Sequence, residues 1–324
     1  MRISRGSEPG YAGIATFMKA PLALEPADLD GADVAIVGAP MDEMVTHRPG
    51  TRFGPREIRH ASDLSDRMWH MDLGVDPFAE LAIVDHGDAG CIPADPHASH
   101  KAIRESVRNI CGAKAVPIVL GGDHSISFPA IAAVAEHHDD LAVVHFDTHA
   151  DTADENWDVK YAHGTPFRRI VDSGAVSGDK LIQIGLRGGW PWEEEWSWMR
   201  SVGVRWHRME EVIEKGIDSV MSSVLMEVGK AKNVYISVDI DVLDPAYAPG
   251  TGTPEPGGMT TWQLMRAVRM VALEKGFVGM DVVEVSPPYD HAQITAMAAN
   301  RVVVEALSAL ALFKKGRAPK PEDP

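Results

Sequence analysis

Two short stretches gather acid and imidazole groups at spacings that suit cation binding. The first is His145-Phe146-Asp147-Thr148-His149-Ala150-Asp151; the second is Ser237-Val238-Asp239-Ile240-Asp241-Val242-Leu243-Asp244-Pro245. Each follows an apolar, β-branched run, at 141–144 and at 234–236, of the kind that forms a buried strand. Alternate residues of a strand share a face. Asp147, His149 and Asp151 therefore converge if the chain stays extended, and so do Asp239 and Asp241. An unpaired buried carboxylate costs on the order of several kcal/mol or takes up a proton. Several together need a counter-charge, and a metal ion supplies it most economically. His124 joins them from Gly121-Gly122-Asp123-His124-Ser125. The charges of Asp147, Asp151, Asp239 and Asp241, with neutral His124 and His149, balance two divalent cations. Such a pair lowers the pKa of a water held between the ions. An oxygen-rich set with imidazoles and no thiolate suits Mn2+, with zinc, nickel and cobalt as alternatives. Singly, each motif has a plainer reading: Asp-x-Asp is commonly a turn or cap, and a lone His a hydrogen-bonded structural residue. The combination carries the metal reading. Asp123 and Asp244 are expected beside the ligands or in turns rather than on the metal.

The elements that must position these groups alternate. Strands are predicted over 33–37, 81–84, 116–120, 141–146, 180–184, 203–206, 234–238 and 277–285. Helices are predicted over 96–110, 128–137, 166–173, 218–228, 260–274 and 292–312, and residues 50–56 lead into a further helix with Pro55 at its first turn. Alternation of this kind implies a mostly parallel sheet covered by helices on both faces. Ligand sites of such sheets lie outside the carboxyl ends of the strands. Gly121–Ser125, both aspartate clusters and Glu284 all fall at such ends. No break suggests a second domain, so 1–324 reads as one domain. Residues 1–31 are expected to form an arm packed on the body or on a neighbouring subunit, and 314–324 a frayed tail.

Composition narrows the function. The chain has 324 residues, 45% hydrophobic and 24% charged, with a formal net charge of −16. That charge argues against nucleic acid, whose phosphates need a basic face, and against an anionic membrane surface. Cys91 and Cys111 are too few for a disulfide framework or thiolate metal site, and a reducing, cytoplasmic setting fits them. No signal-peptide pattern opens the chain, and no apolar run reaches the roughly 18 residues of a membrane span.

Together these motifs resemble the ureohydrolases: arginases, agmatinases and other guanidino-compound hydrolases. Arg48-Pro49-Gly50-Thr51-Arg52-Phe53-Gly54-Pro55, His163-Gly164-Thr165-Pro166-Phe167 and Ala248-Pro249-Gly250-Thr251-Gly252-Thr253-Pro254 extend the resemblance over most of the chain. It implies a three-layer α/β/α fold and a binuclear metal centre. One metal would be held by His124, Asp147, Asp151 and Asp239; the other by Asp147, His149, Asp239 and Asp241, with Asp147 and Asp239 bridging. It also implies that Glu284 orients the guanidinium by paired hydrogen bonds, that His163 carries the proton for the leaving amine, and that Asp151 belongs to the catalytic set. A homo-oligomer, a trimer or hexamer, is usual for the family, with a hetero-oligomer as alternative. Without the resemblance, His163 would read as a structural histidine and Glu284 as one half of an ion pair.

Substrate is read from the loops. The stretch 152–162, with Asn156 and Trp157, lacks the Asn-Thr pattern expected of an arginase. His163–Arg169 and 248–258 instead resemble agmatinases and guanidino-acid hydrolases. The run Arg187-Gly188-Gly189-Trp190-Pro191-Trp192-Glu193-Glu194-Glu195-Trp196-Ser197-Trp198 holds half of the chain's 8 tryptophans. It reads either as a helix start packed on the core or on a subunit, or as an aromatic, acidic pocket wall for a cationic or alkylated guanidine. Arg187 is the candidate anchor should the substrate carry a carboxylate. The expected activity is agmatinase-like: hydrolysis of a guanidino compound to urea and an amine. Alternatives are a guanidinobutyrase-type enzyme, or a nickel-dependent hydrolase of an alkylated guanidine or biguanide such as metformin. A metal-dependent amide deacetylase is the reading from a different class, and the two-metal set with Glu284 weighs against it.

Overall fold

The computed structural model describes residues 10–64 and 68–320. Among the described residues eight segments, most of them apolar, become strands: β1 Val34–Ala39, β2 Ile83–Asp88, β3 Val116–Gly121, β4 Leu141–Phe146, β5 Leu181–Leu186, β6 Arg205–Arg208, β7 Asn233–Asp239 and β8 Gly279–Val283. They pair in the order β2-β1-β3-β8-β7-β4-β5-β6, every pair parallel. Side chains alternate between the faces of a strand, so the strands inside the sheet feed two cores. Ala142, Val144 and Phe146 of β4 join one core with the helices Ile217–Val228, Thr261–Lys275 and Ile294–Lys315. Leu141 and Val143 join the other with the helices Pro96–Gly112, Ser127–Ala135 and Pro166–Asp172. This is the three-layer α/β/α arrangement.

Local sequence explains where the helices begin and end. Asp95 accepts from the Ala98 N–H and Pro96 takes the first turn of Pro96–Gly112, whose buried Ile103, Val107, Ile110 and Cys111 lie on one stripe. Thr260 and Gln263 close a capping box at the start of Thr261–Lys275, and Gly276 (φ +64°) ends it. The helix Ile294–Lys315 is, contrary to the sequence expectation, long and apolar enough to cross a membrane, with mean hydropathy 1.5; 83% of that window is buried inside the protein, as a core helix requires. Helices also form where none was expected, at Pro77–Glu80 and Met209–Lys215, and the tryptophan run does start a helix, Glu193–Val202, as one of its two readings anticipated. The last strand is shorter than expected because the chain turns at Glu284, whose φ is 63°.

The arm and the tail both pack on the body where they are described. Phe17, Ala23 and Leu29 are fully buried, and the Phe17 N–H donates to Asp85 Oδ2 at 2.7 Å. The expected fraying from 314 does not hold for 314–320: the last helix runs to Lys315, Arg317 pairs with Glu80 at 2.8 Å, and the Lys320 N–H donates to Leu73 O at 3.3 Å. Residues 1–9 and 321–324 lie outside the described part. The four strand ends that carry the expected site residues, those of β3, β8, β7 and β4, are consecutive in the middle of the sheet.

Candidate functional site

The ligand residues meet above those four strand ends, but not by strand alternation. β4 stops at Phe146 and β7 at Asp239. Tight turns follow: Asp147 Oδ1 accepts the His149 N–H at 2.6 Å, and Asp239 Oδ1 accepts the Asp241 N–H at 2.8 Å. Asp151 is reached through a left-handed backbone, φ 50°. His124 opens a short 3-10 turn capped by Asp123, which accepts the Ser125 N–H at 2.9 Å. Asp244 is likewise a turn residue, accepting the N–H groups of Ala246, Gly257 and Gly258.

Ligand atoms of His124, Asp147, Asp151 and Asp239 all lie within 4.8 Å of one another, and so do those of Asp147, His149 and Asp241. Asp147 is common to both sets. Asp239, which the resemblance gives as a second bridge, falls in the first only. His124 Nδ1 lies 3.2, 2.9 and 3.1 Å from single oxygens of Asp147, Asp151 and Asp239, yet it makes no hydrogen bond and is buried. An unpartnered imidazole nitrogen converging with three carboxylate oxygens on one point is the donor arrangement of a cation site. Electrostatics agree. Burial, then Asp241 and Asp147, push the Asp239 carboxyl well above its usual range. Burial would lower His124, but Asp147, Asp151 and Asp239 outweigh it and hold the ring well above the usual histidine value. Protein charges alone leave the cluster short of positive charge, and divalent cations fit that deficit.

A row of buried polar residues runs beneath the cluster. Gln183, His145, Ser237 and Asp281 are register partners across β5, β4, β7 and β8, and all are fully buried. Gln183 Nε2 donates to His145 Nδ1 at 3.0 Å, so His145 Nε2 carries the hydrogen and donates to Asp147 Oδ2 at 2.9 Å. Burial keeps His145 below the usual histidine value, consistent with this neutral form. Ser237 Oγ donates to Asp281 Oδ1 at 2.7 Å and accepts from His124 Nε2 at 3.2 Å. Once a cation replaces the proton that the bare cluster holds on this ring, His124 would thereby keep its hydrogen on Nε2 and offer Nδ1 to the ion. Tyr235 Oη secures the other oxygen of Asp281 at 2.8 Å. Sequence reasoning missed this layer. Its signal was the i, i+2 spacing of His145 to Asp147 and of Ser237 to Asp239, which puts each pair on one strand face.

Glu284 and His163 come together beside the metal ligands. Glu284 Oε1 accepts the His124 N–H at 2.9 Å and His163 Nδ1–H at 3.0 Å. His163 Nε2 accepts the Thr46 N–H at 3.1 Å and contacts Thr46 Oγ1 at 2.7 Å. Glu284 Oε2 is buried and has no partner. A Cβ on Gly252 would sit 3.1 Å from it, so that glycine keeps space open around the oxygen. Glu284 also holds an uncommon left-handed φ, the sort of outlier that marks a functional constraint.

A cavity of about 440 Å³ opens over the cluster. Asp151, Asp239, His149, His163, Asn156 and Glu195 line it, with the exposed rings of Trp157, Trp190 and Trp192 at its rim. The tryptophan segment divides in two. Trp190 and Trp192 are 51% and 62% exposed at the rim, and the Trp190 ring centroid lies 6.1 Å from that of His149. Trp196 packs on Trp206 at 4.9 Å, and Trp198 lies under the Arg168 guanidinium at 4.4 Å. The helix period causes the split: Glu193–Val202 turns Met199 into the core and carries Trp196 and Trp198 away from the rim. Arg187 is not where an anchor for a substrate carboxylate is needed. Its Nη2 donates to the carbonyls of Asp241 at 2.8 Å and Glu255 at 2.6 Å, and its Nη1 to Val242 O at 3.1 Å. It straps the second aspartate turn to the 255–256 loop.

The model of the arginase family matches residues 32–309. A guanidinobutyrase from Pseudomonas aeruginosa is 41% identical over 303 residues, covering 93% of this chain and 94% of that protein. An agmatinase from Chromobacterium violaceum is 38% identical over 301 residues, covering 93% of this chain and 89% of that protein. Among solved structures, proclavaminate amidino hydrolase from Streptomyces clavuligerus superposes with a TM-score of 0.88 at 39% identity, covering 94% of this chain and 100% of that one.

Proposed function

The chain belongs to the arginase family of guanidino-compound hydrolases, and from that premise we propose that it releases urea from a guanidine whose tail carries no carboxylate, in the manner of an agmatinase. The observation that carries the reaction is the convergence of buried, unpartnered His124 Nδ1 and three carboxylates beside the free Oε2 of Glu284. A divalent pair held by His124, Asp147, His149, Asp151, Asp239 and Asp241 would supply Lewis acidity, acidifying water enough for attack at neutral pH.

The other steps belong to side chains. Glu284 Oε2 receives guanidinium N–H groups and orients the carbon, in a place where an unmet acceptor otherwise costs about 1–3 kcal/mol. Attack makes a new C–O bond; the C–N bond to the substituted nitrogen then breaks, and that nitrogen must leave protonated. His163 holds the proton for it. Burial alone would lower His163, but the adjacent Glu284 carboxylate holds it above the usual histidine value. Thr46, on the cavity wall, keeps the ring in place through Nε2. The products are urea and an amine.

The donor set is oxygen-rich with two imidazoles, which supports Mn2+, with Ni2+ the alternative. Free Cys91 and Cys111 support a reducing, cytoplasmic setting. A homo-oligomer belongs to the same reading, as the family resemblance implies. A guanidino-acid substrate is the second reading, favoured by the similarity to a guanidinobutyrase. The test is urea release from a panel of guanidines, acids and biguanides after reconstitution with Mn2+, Ni2+ or Zn2+. Urea from uncharged or cationic guanidines is the expected result; urea from guanidino acids alone rejects the substrate reading, and none with any metal rejects the reaction.

A further inference from the structure

The cavity wall beyond the metal ligands is lined by Thr46, Glu155, Asn156, His163, Glu195 and Thr253 among its polar side chains, with no lysine or arginine. Asn156 Oδ1 is buried without a partner. Glu195 lies in the first turn of Glu193–Val202 and lines the cavity together with Trp190, Trp192, Asp151 and Asp239. Its neighbour Glu193 turns outward, 77% exposed at the side chain, and pairs with Arg200 at 2.6 Å. Glu195 has no such cation beside it: the Trp192 backbone hydrogen-bonds its carboxyl, and among the charges facing it Asp151 and Glu194 are opposed by His149. Burial, then those acids, push its carboxyl up to about 7, the mark of a carboxylate kept from water without a counter-ion.

We propose that Glu195 is a specificity-determining residue that receives the far end of the substrate, selecting a guanidine with an ammonium or amidine tail over one ending in a carboxylate. The proposal rests on the reading above that this cavity hydrolyses guanidines. A cationic tail supplies the charge that the wall lacks, and donates hydrogen bonds to the carboxylates of Glu155 and Glu195 and to the unpartnered Asn156 Oδ1. The faces of Trp190 and Trp192 favour the same cation. A carboxylate tail meets Glu155 and Glu195 with nothing to balance it.

The experiment uses the metal-loaded enzyme and substrates of similar length: agmatine, N-butylguanidine and 4-guanidinobutyrate. The expected kcat/KM for agmatine exceeds that for N-butylguanidine by about tenfold. Glu195→Gln should abolish that ratio, and Glu195→Lys should move preference toward 4-guanidinobutyrate. Glu193→Gln, which removes a charge from the same turn outside the cavity, should keep it. Persistence of the ratio in Glu195→Gln, or equal loss in Glu193→Gln, overturns the role of Glu195. So does a wild-type preference for 4-guanidinobutyrate. Should the Glu195 variants fail to fold, the wild-type ratio read against ionic strength decides: it falls with salt if a charge pair sets it, and salt independence overturns the proposal. Urea from none of the three overturns the hydrolase reading itself, whereas urea without tail preference overturns only Glu195.

Discussion

His124 is useful to a metal only while Nε2, not Nδ1, carries the hydrogen, and Ser237 Oγ holds it there. Partners of this kind typically change metal affinity by about 10–100-fold. Ser237→Ala is expected to weaken metal retention by about that factor while the fold survives. Metal content after graded chelator treatment checks it, and wild-type retention would mean that the serine only fills space. His163 makes the complementary prediction. It touches Glu284 and Thr46 but belongs to neither ligand set, so His163→Ala should lower kcat by roughly 10²–10⁴-fold with metal content intact. A variant with near-normal turnover would leave proton delivery to water or another group.

The helix Pro96–Gly112 holds a buried histidine that a charge would disrupt. His100 Nε2 contacts Ser125 Oγ at 3.0 Å, next to the His124 turn, and its ring packs edge-on to Tyr161 at 6.3 Å. Burial, then His97, lower it from 6.5 to about 4. Below pH 6.5 the unfolded chain takes a proton that the folded helix refuses, so stability falls as pH drops from about 6.5 to about 4. The loss is worth about 3 kcal/mol over that window. Metal-free His100→Gln should therefore lose less stability on acidification than metal-free wild type. Urea unfolding at pH 7.5 and 4.5 reads the difference, and parallel losses would place the acid sensitivity elsewhere. The helix Glu193–Val202 shows the opposite economy: an element whose inner face is core and whose first turn is pocket.

At the scale of the molecule, the parallel sheet sets the stability of the site and the site answers in kind. Four adjacent strands hold buried Asp147, Asp239 and Asp281 close together, a like-charge load that bound cations relieve. Ligands that bind the folded state alone stabilise it, by about 4 kcal/mol at a concentration a thousandfold above Kd. Stripping the metal should thus lower Tm, on the order of 10 °C for a domain of this size, and Mg2+ should restore it less fully than Mn2+. Calorimetry before and after chelation measures this; an unchanged Tm would mean that the cluster is satisfied by protons alone.

The aspartate and histidine motifs were legible because their chemistry is local: groups two residues apart after an apolar run meet within one turn, whatever the rest of the chain does. The alternation of strands and helices was legible for the same reason, since periods of 2 and 3.6 are written residue by residue. Pairing is not local. That Gln183, His145, Ser237 and Asp281 form one row depends on register between strands up to about a hundred residues apart, and one slip would turn each of them to the other face. Arg187 carried a charge that sequence could assign to a substrate; only the folded loops supply the carbonyls that consume its donors. The tryptophans were countable, but which of them face the cavity was decided by where a helix starts and how far it rotates before Trp196.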